Sequence, residues 1–157
     1  AYVDSRGEVT LVVSARVLLE DHAPTMIGNP VARITEDFPA LWRDACALLT
    51  ENGYRGFANF DVKIDPRDGR ALFFEVNPRI GRNNWYMAAA GANPMIPMVE
   101  DLIDGKACEQ TQATDEILYT LVPDSLLLHY ITDEDLRARV KRIIREGRRF
   151  DLLLKPT

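Results

Sequence analysis

Residues 57–83, FANFDVKIDPRDGRALFFEVNPRIGRN, alternate so regularly that they leave the backbone little choice. Ala58, Phe60, Val62 and Ile64 occupy even positions, while Asn59, Asp61, Lys63 and Asp65 occupy odd ones. Beyond a turn, Leu72, Phe74 and Val76 repeat the even apolar positions, and Glu75 and Asn77 the odd polar ones. Side chains alternate faces along a strand, so the stretch predicts a half-buried hairpin with one apolar and one acidic face. Both apolar rows must meet the same core, so paired residue numbers must sum to an even value. A closing pair Asp65/Ala71 around residues 66–70 satisfies this and places Asp61 opposite Glu75 and Asn59 opposite Asn77.

Two carboxylates facing each other across a strand pair repel by up to roughly 1 kcal/mol. A positive group is therefore expected between them. Two carboxylates and the amide oxygen of Asn77 are hard ligands of the kind a divalent cation takes while keeping water and phosphate oxygens. Arg79 and Arg82 follow at once and suit a phosphate or carboxylate beside the cation. The residues alone leave open a solvated face on which Lys63 or Arg79 neutralises the acids.

At 157 residues, 46% hydrophobic and 27% charged, the chain is long enough for a single domain with its own core. A net charge of −5 argues against a general nucleic-acid binder, and no apolar run is long enough to span a bilayer. Cys46 and Cys108 lack zinc-site spacing and read as structural thiols, which fits a reducing, cytoplasmic setting. The sequence opens at Ala1 already inside a strand pattern, as expected of a piece of a longer polypeptide.

Taken in order, Tyr2–Val3, a turn at residues 4–7 and a strand over residues 8–19 predict a second hairpin. Residues 20–30 form a Pro- and Gly-containing loop that carries His22 between acidic neighbours, an ordinary surface position or a ligand contact. Helical spacing over residues 37–52, stopped by Gly53, predicts a helix on the apolar side of the central hairpin, with Phe38 and Trp42 in the core. Further helices are expected over 83–90, ended by Gly91, and from Asn93–Pro94 to Asp104. Residues 116–122 read as a strand and 125–130 as a short apolar segment. Thr132-x-x-Asp135 reads as the cap of a last helix, whose arginines suit a solvated face or a protein contact better than nucleic acid, since no aromatics interleave. The fold class is α+β, an antiparallel sheet covered by helices.

The spacing Asp61…Glu75-Val-Asn77-Pro78-Arg79 resembles the C-terminal, metal-binding part of the ATP-grasp superfamily, and FFEVNPRIGR is most similar to its carboxylate–amine and amino-acid ligases. EVNPR is also similar to carbamoyl-phosphate synthetase and biotin carboxylase. The likeness covers residues up to about 105, leaving 106–157 as an extension with a strand and the basic helix. It implies that Asp61, Glu75 and Asn77 bind magnesium, or manganese in its place, on ATP. Arg79 is then the catalytic arginine on the transferred phosphoryl group, and Arg82 and Asn83 meet a substrate carboxylate. Asn59 departs from the D-alanine ligase branch, which has an arginine there. The implied reaction joins a carboxylate to an amine through an acyl phosphate. Small-molecule substrates are the partners, with no membrane and no nucleic acid.

The phosphate lysines and adenine hinge of such enzymes are not found before Asp61, where only Arg6, Arg16, Arg33, Arg43 and Arg55 supply cations. The chain is expected to need an N-terminal part of the same protein and to be inactive alone. Two alternatives remain: a carbamoyl-phosphate synthetase or biotin carboxylase-like enzyme acting on bicarbonate, and a non-catalytic cation-binding or interaction module.

Overall fold

A computed structural model describes residues 1–26, 28–113 and 115–151. In chain order the elements are β1 (Tyr2–Val3), β2 (Val9–Val12), β3 (Ala15–Glu20), β4 (Pro30–Thr35), α1 (Pro39–Glu51), β5 (Gly56–Phe57), β6 (Asn59–Ile64) and β7 (Ala71–Asn77). They continue with α2 (Trp85–Ala89), α3 (Met95–Leu102), β8 (Thr111–Gln112), β9 (Leu118–Thr120), α4 (Asp124–Tyr130), α5 (Glu134–Arg145) and β10 (Arg149–Phe150). The class is α+β, as expected. Most strand pairs are antiparallel, with short parallel pairings of β2 with β8 and of β9 with β10. The chain divides into two compact units: Ala1–Val13, Phe38–Asn84 and Ala92–Gln112 form the first, and Ser14–Asp37, Trp85–Gly91 and Ala113–Thr157 the second.

The first unit holds a sheet in the order β5-β1-β2-β8 and the separate hairpin β6-β7. Its β1–β2 turn is built by the buried Asp4, whose carboxylate accepts from the backbone N–H groups of Arg6 and Glu8. Val3, Leu49 of α1 and Ala58 form a core against which Val9, Tyr54 and Phe60 pack. Helix α1 thus shares a cluster with one hairpin aromatic. Phe38 and Trp42, expected in the core, are only half-buried, and Ala45 and Leu49 are the buried residues of the helix. Helix α3 is anchored by Asp101, buried beneath the chain, which accepts from the Tyr2 hydroxyl at 2.8 Å and from the Ser5 hydroxyl at 2.6 Å. The Ser5 bonds, with that from Tyr2, hold this carboxyl below the usual range. The other side of α3 leaves Met95, Ile96, Val99, Leu102 and Ile103 exposed.

The second unit is organised on a sheet in the order β10-β9-β4-β3. Residues 117–120 are buried without interruption because both faces of β9 are covered. On one face Leu118, with Ala32 and Ile34 of β4, packs against Leu127 of α4 and Val140 and Ile143 of α5. On the other, Ile117 and Tyr119 pack with Tyr86, Ala89 and Ala90 in and just after α2, and with Phe150. No helix among the described residues is long and apolar enough to cross a membrane.

Two further sequence expectations change here. The single strand over residues 8–19 is two strands. At Ser14, whose hydroxyl and carbonyl both bond Glu36, the chain stops pairing with β1 and begins pairing with β4. The last helix is capped by Asp133, which accepts from Leu136 N–H at 2.8 Å, and not by Thr132. The apolar segment at 125–130 is helix α4.

In and just after the basic helix, Arg139, Arg142, Arg148 and Arg149 pair with acids of their own unit, while Arg137 donates to the Ile131 carbonyl. Glu36 receives Arg16 at 2.7 Å and Arg139 at 2.7 Å, and Glu116 receives Arg139 at 2.6 Å, Arg142 at 2.9 Å and Arg148 at 3.2 Å. Arg149 reaches Asp124 at 2.6 Å. Hydrogen bonding to Arg16 holds the Glu36 carboxyl low. At Glu116 partial burial works upward, and the bonds from Arg139 and Arg148 outweigh it.

Candidate functional site

The two sides of the hairpin are set by its register. Asn59 pairs with Asn77, Phe60 with Val76 and Asp61 with Glu75, as strand parity requires. Paired residues share a face, so Asn59, Asp61, Glu75 and Asn77 form one polar patch, with Cβ atoms about 4.5–5.5 Å apart across each pair. Asp61 and Glu75 are exposed, and Asn59 and Asn77 are half-buried.

Nearer the turn the register differs from the expectation. Val62 pairs with Phe73 and Ile64 with Ala71, so one residue, Phe74, bulges out between the two halves of the ladder. The turn is correspondingly one residue tighter, closed by Asp65 N–H to the Arg70 carbonyl at 2.8 Å. Asp65 therefore leaves the acidic face. It is buried, accepts the Arg67 N–H at 2.9 Å and pairs with the Arg67 guanidinium at 2.6 Å, and that bond holds its carboxyl low. Phe73, rather than Phe74, joins the apolar face and meets Phe60 edge-on with ring centroids 5.4 Å apart. Phe74 is 68% exposed. Two deviations of one residue each cancel by the time the strand reaches Glu75.

Beyond β7 the chain bends at once. Arg79 N–H donates to the Asn77 carbonyl at 2.8 Å, a three-residue turn across Pro78. This returns the Arg79 side chain along the strand, where its guanidinium makes long bonds to the Asn77 side-chain oxygen at 3.4 Å and the Ile80 carbonyl at 3.3 Å. Arg82 is exposed and Asn83 half-buried. Asn84 donates to the Gly81 carbonyl at 3.1 Å. Among the described residues, Arg79, Arg82 and Glu75 join no ion pair. Charges of both signs thus stand close in sequence and exposed without neutralising each other.

The cations before Asp61 are differently placed. Arg6 is with Asp4, Arg16 with Glu36 and Arg43 with Asp44, while Arg55 donates to the Ser5 and Tyr54 carbonyls. Arg33 stacks over the Tyr86 ring at 4.9 Å. His22 is exposed, and Cys46 and Cys108 are free, half-buried thiols raised by burial. Among the described residues no three His, Cys, Asp or Glu side chains gather into a metal cluster. The hairpin offers two acids and an amide. Asn59, packed against Gly81, is the patch residue given no task by the motif, because nothing in the sequence signals contact between positions so far apart.

Residues 3–102 match the family described as carbamoyl-phosphate synthase L chain, ATP binding domain. The chain is 33% identical over 153 residues to a D-aspartate ligase of Enterococcus faecium (strain Aus0004), a match covering 94% of this chain and 36% of that protein. The chain thus spans about a third of the length of this relative. No solved structure matches. The matched span runs from β1 through α3 and contains the whole polar patch and the arm carrying Arg79 and Arg82, so the chain belongs to the ATP-grasp superfamily, in the family of the carbamoyl-phosphate synthase ATP-binding domain.

Proposed function

We propose that this chain is the metal-binding part of an ATP-dependent ligase that forms an amide bond between a carboxylate and an amine, its two units belonging to one ATP-grasp domain completed by an N-terminal part. The observation that carries the reading is the register pair Asp61/Glu75 beside Asn59/Asn77, followed directly by exposed arginines. Two carboxylates and an amide oxygen fit magnesium or manganese, which keeps remaining positions for water and phosphate oxygens. The bound cation would neutralise charge on the β- and γ-phosphates of ATP.

The chain's own residues then have separable tasks. Asp61, Glu75 and Asn77 hold the cation, and Arg79 stabilises charge on the transferred phosphoryl oxygens. Arg82 and Asn83 orient the carboxylate. A carboxylate oxygen attacks the γ-phosphorus, the bond to the bridging oxygen breaks, and ADP leaves. The amine then attacks the acyl carbon of the acyl phosphate, inorganic phosphate departs, and the amine's proton is lost. Phosphoryl transfer asks mainly for position and charge compensation, which this side-chain set supplies. The similarity to a D-aspartate ligase makes an amino-acid carboxylate the first substrate to try. The family match favours bicarbonate as the rival acceptor.

The test measures ADP release by the full-length protein with Mg-ATP and either D-aspartate plus an amine or bicarbonate. Asp61→Asn and Glu75→Gln should each lower turnover about 100-fold or more. Intact turnover in both variants would refute the metal assignment, and turnover with bicarbonate alone would select the rival. Magnesium binding with no turnover on either would leave a non-catalytic module.

A further inference from the structure

Gly81 differs from the other glycines of this chain that lie in turns. Eight glycines, among them Gly53, Gly69, Gly91 and Gly105, have φ between +63° and +96°, where a side chain is strained. Gly81 is not among them, so its backbone does not call for glycine. Its surroundings do. A Cβ built on Gly81 would lie 2.6 Å from Asn59 Oδ1, closer than real Cβ atoms approach, and 3.3 Å from Asn59 Cγ, a tight contact. The Asn59 amide therefore lies directly on the Gly81 backbone.

The same asparagine is the strand partner of Asn77. Asn59 thus touches both ends of the short arch 77–81, at Asn77 across the ladder and at Gly81. Two hydrogen bonds brace the arch, from Arg79 N–H to the Asn77 carbonyl at one foot and from Asn84 to the Gly81 carbonyl at the other. Arg79 sits within the arch and Arg82 leaves its far foot. We infer that Asn59 and Gly81 are positioning residues: the amide seated on a bare backbone fixes where the arch closes, and so sets Arg79 and Arg82 against the Asp61, Glu75 and Asn77 patch. The inference rests on the ligase reading for what the arch positions, and on contact geometry alone for the seat itself.

The seat makes a sign-specific demand. Gly81→Ala drives a methyl into the amide and displaces the arch. Asn59→Ala removes the amide and leaves the arch unsupported. Combining them puts the new methyl where the amide was, so the double variant should outperform Gly81→Ala alone.

The experiment uses full-length protein, the two single variants and the double. Hydrogen exchange of the backbone amides at 79–82 and steady-state kinetics with Mg-ATP are the measurements. Gly81→Ala should speed exchange and lower kcat by about 100-fold, with the KM for Mg-ATP changing less than about 2-fold, because a misplacement near 1 Å acts on the reacting geometry rather than on nucleotide binding. Asn59→Ala should fall between this variant and wild type. The double variant should regain about 10-fold in kcat over Gly81→Ala and slow the exchange again. No recovery in either measurement, or wild-type kcat in Gly81→Ala, overturns the inference. A wild-type protein without ATP turnover overturns the ligase reading instead, and the exchange pattern then decides the seat.

Discussion

The β10-β9-β4-β3 sheet and the β6-β7 hairpin use the same kinds of residues to opposite ends. In the sheet, Leu118, Ala32 and Ile34 are wholly enclosed, and Glu36 and Glu116 draw Arg16, Arg139, Arg142 and Arg148 into one network. In the hairpin, Asp61, Glu75, Arg79 and Arg82 are exposed, and Ile64, Leu72, Phe74 and Val76 remain at least 40% open to solvent. A two-stranded ribbon is marginal by itself, and this one leans on its unit through Phe60. Charge that is already compensated stabilises a fold and has nothing left for a ligand, whereas the exposed charges of Glu75, Arg79 and Arg82, which join no ion pair among the described residues, are ready for one.

The largest effect that would sharpen this contrast is on stability. Leu118→Ala should cost about 2–5 kcal/mol by denaturant unfolding, while Asp61→Asn or Glu75→Gln should stay within about 0.5 kcal/mol of wild type. Equal losses would erase the distinction. Next comes the ion network. Glu116→Gln should cost about 1.5–3 kcal/mol at pH 7, where hydrogen bonds to a charged group are lost. Glu36 and Glu116 titrate below their unfolded value, so their contribution is complete above a pH of about 4.3 and disappears as pH falls through the lower folded values. Wild type should therefore lose stability more steeply below that pH than a Glu36→Gln, Glu116→Gln variant, and parallel curves would remove the network from the account. Smallest is the aromatic pair. Phe74→Thr should change stability by less than about 0.5 kcal/mol, whereas Phe73→Ala forfeits the edge contact with Phe60, worth about 0.5–1.5 kcal/mol beyond its buried area. The reverse ranking would mean the bulge is misassigned.

The hairpin was legible because parity is a local rule. Its site end follows from alternation alone, since Asn59, Asp61, Glu75 and Asn77 must share a face. Parity put Phe74 on the apolar face, but the adjacent and equally apolar Phe73 takes that place, so the bulge and the burial of Asp65 escaped it. The enclosed sheet was harder. β9 stood out as an apolar run, but its partner β4 carries Arg33 at its middle and follows a Gly- and Pro-containing loop. β8 and β10 are two-residue strands held by parallel partners distant in sequence, as Thr111 is from Leu11. Ser14 breaks its strand through a bond to Glu36, which no pattern in the neighbouring residues announces.

The bulge at Phe74 has a consequence for how the turn can vary. It separates the ladder into a turn half, Ile64/Ala71 to Val62/Phe73, and a site half, Asp61/Glu75 to Asn59/Asn77. A residue gained or lost between Pro66 and Gly69 shifts the turn half by one, and the slack at Phe74 can absorb that shift before it reaches the carboxylates. The hairpin thus carries an expansion joint, and the length of its tip is free to drift while the spacing of its acids is not.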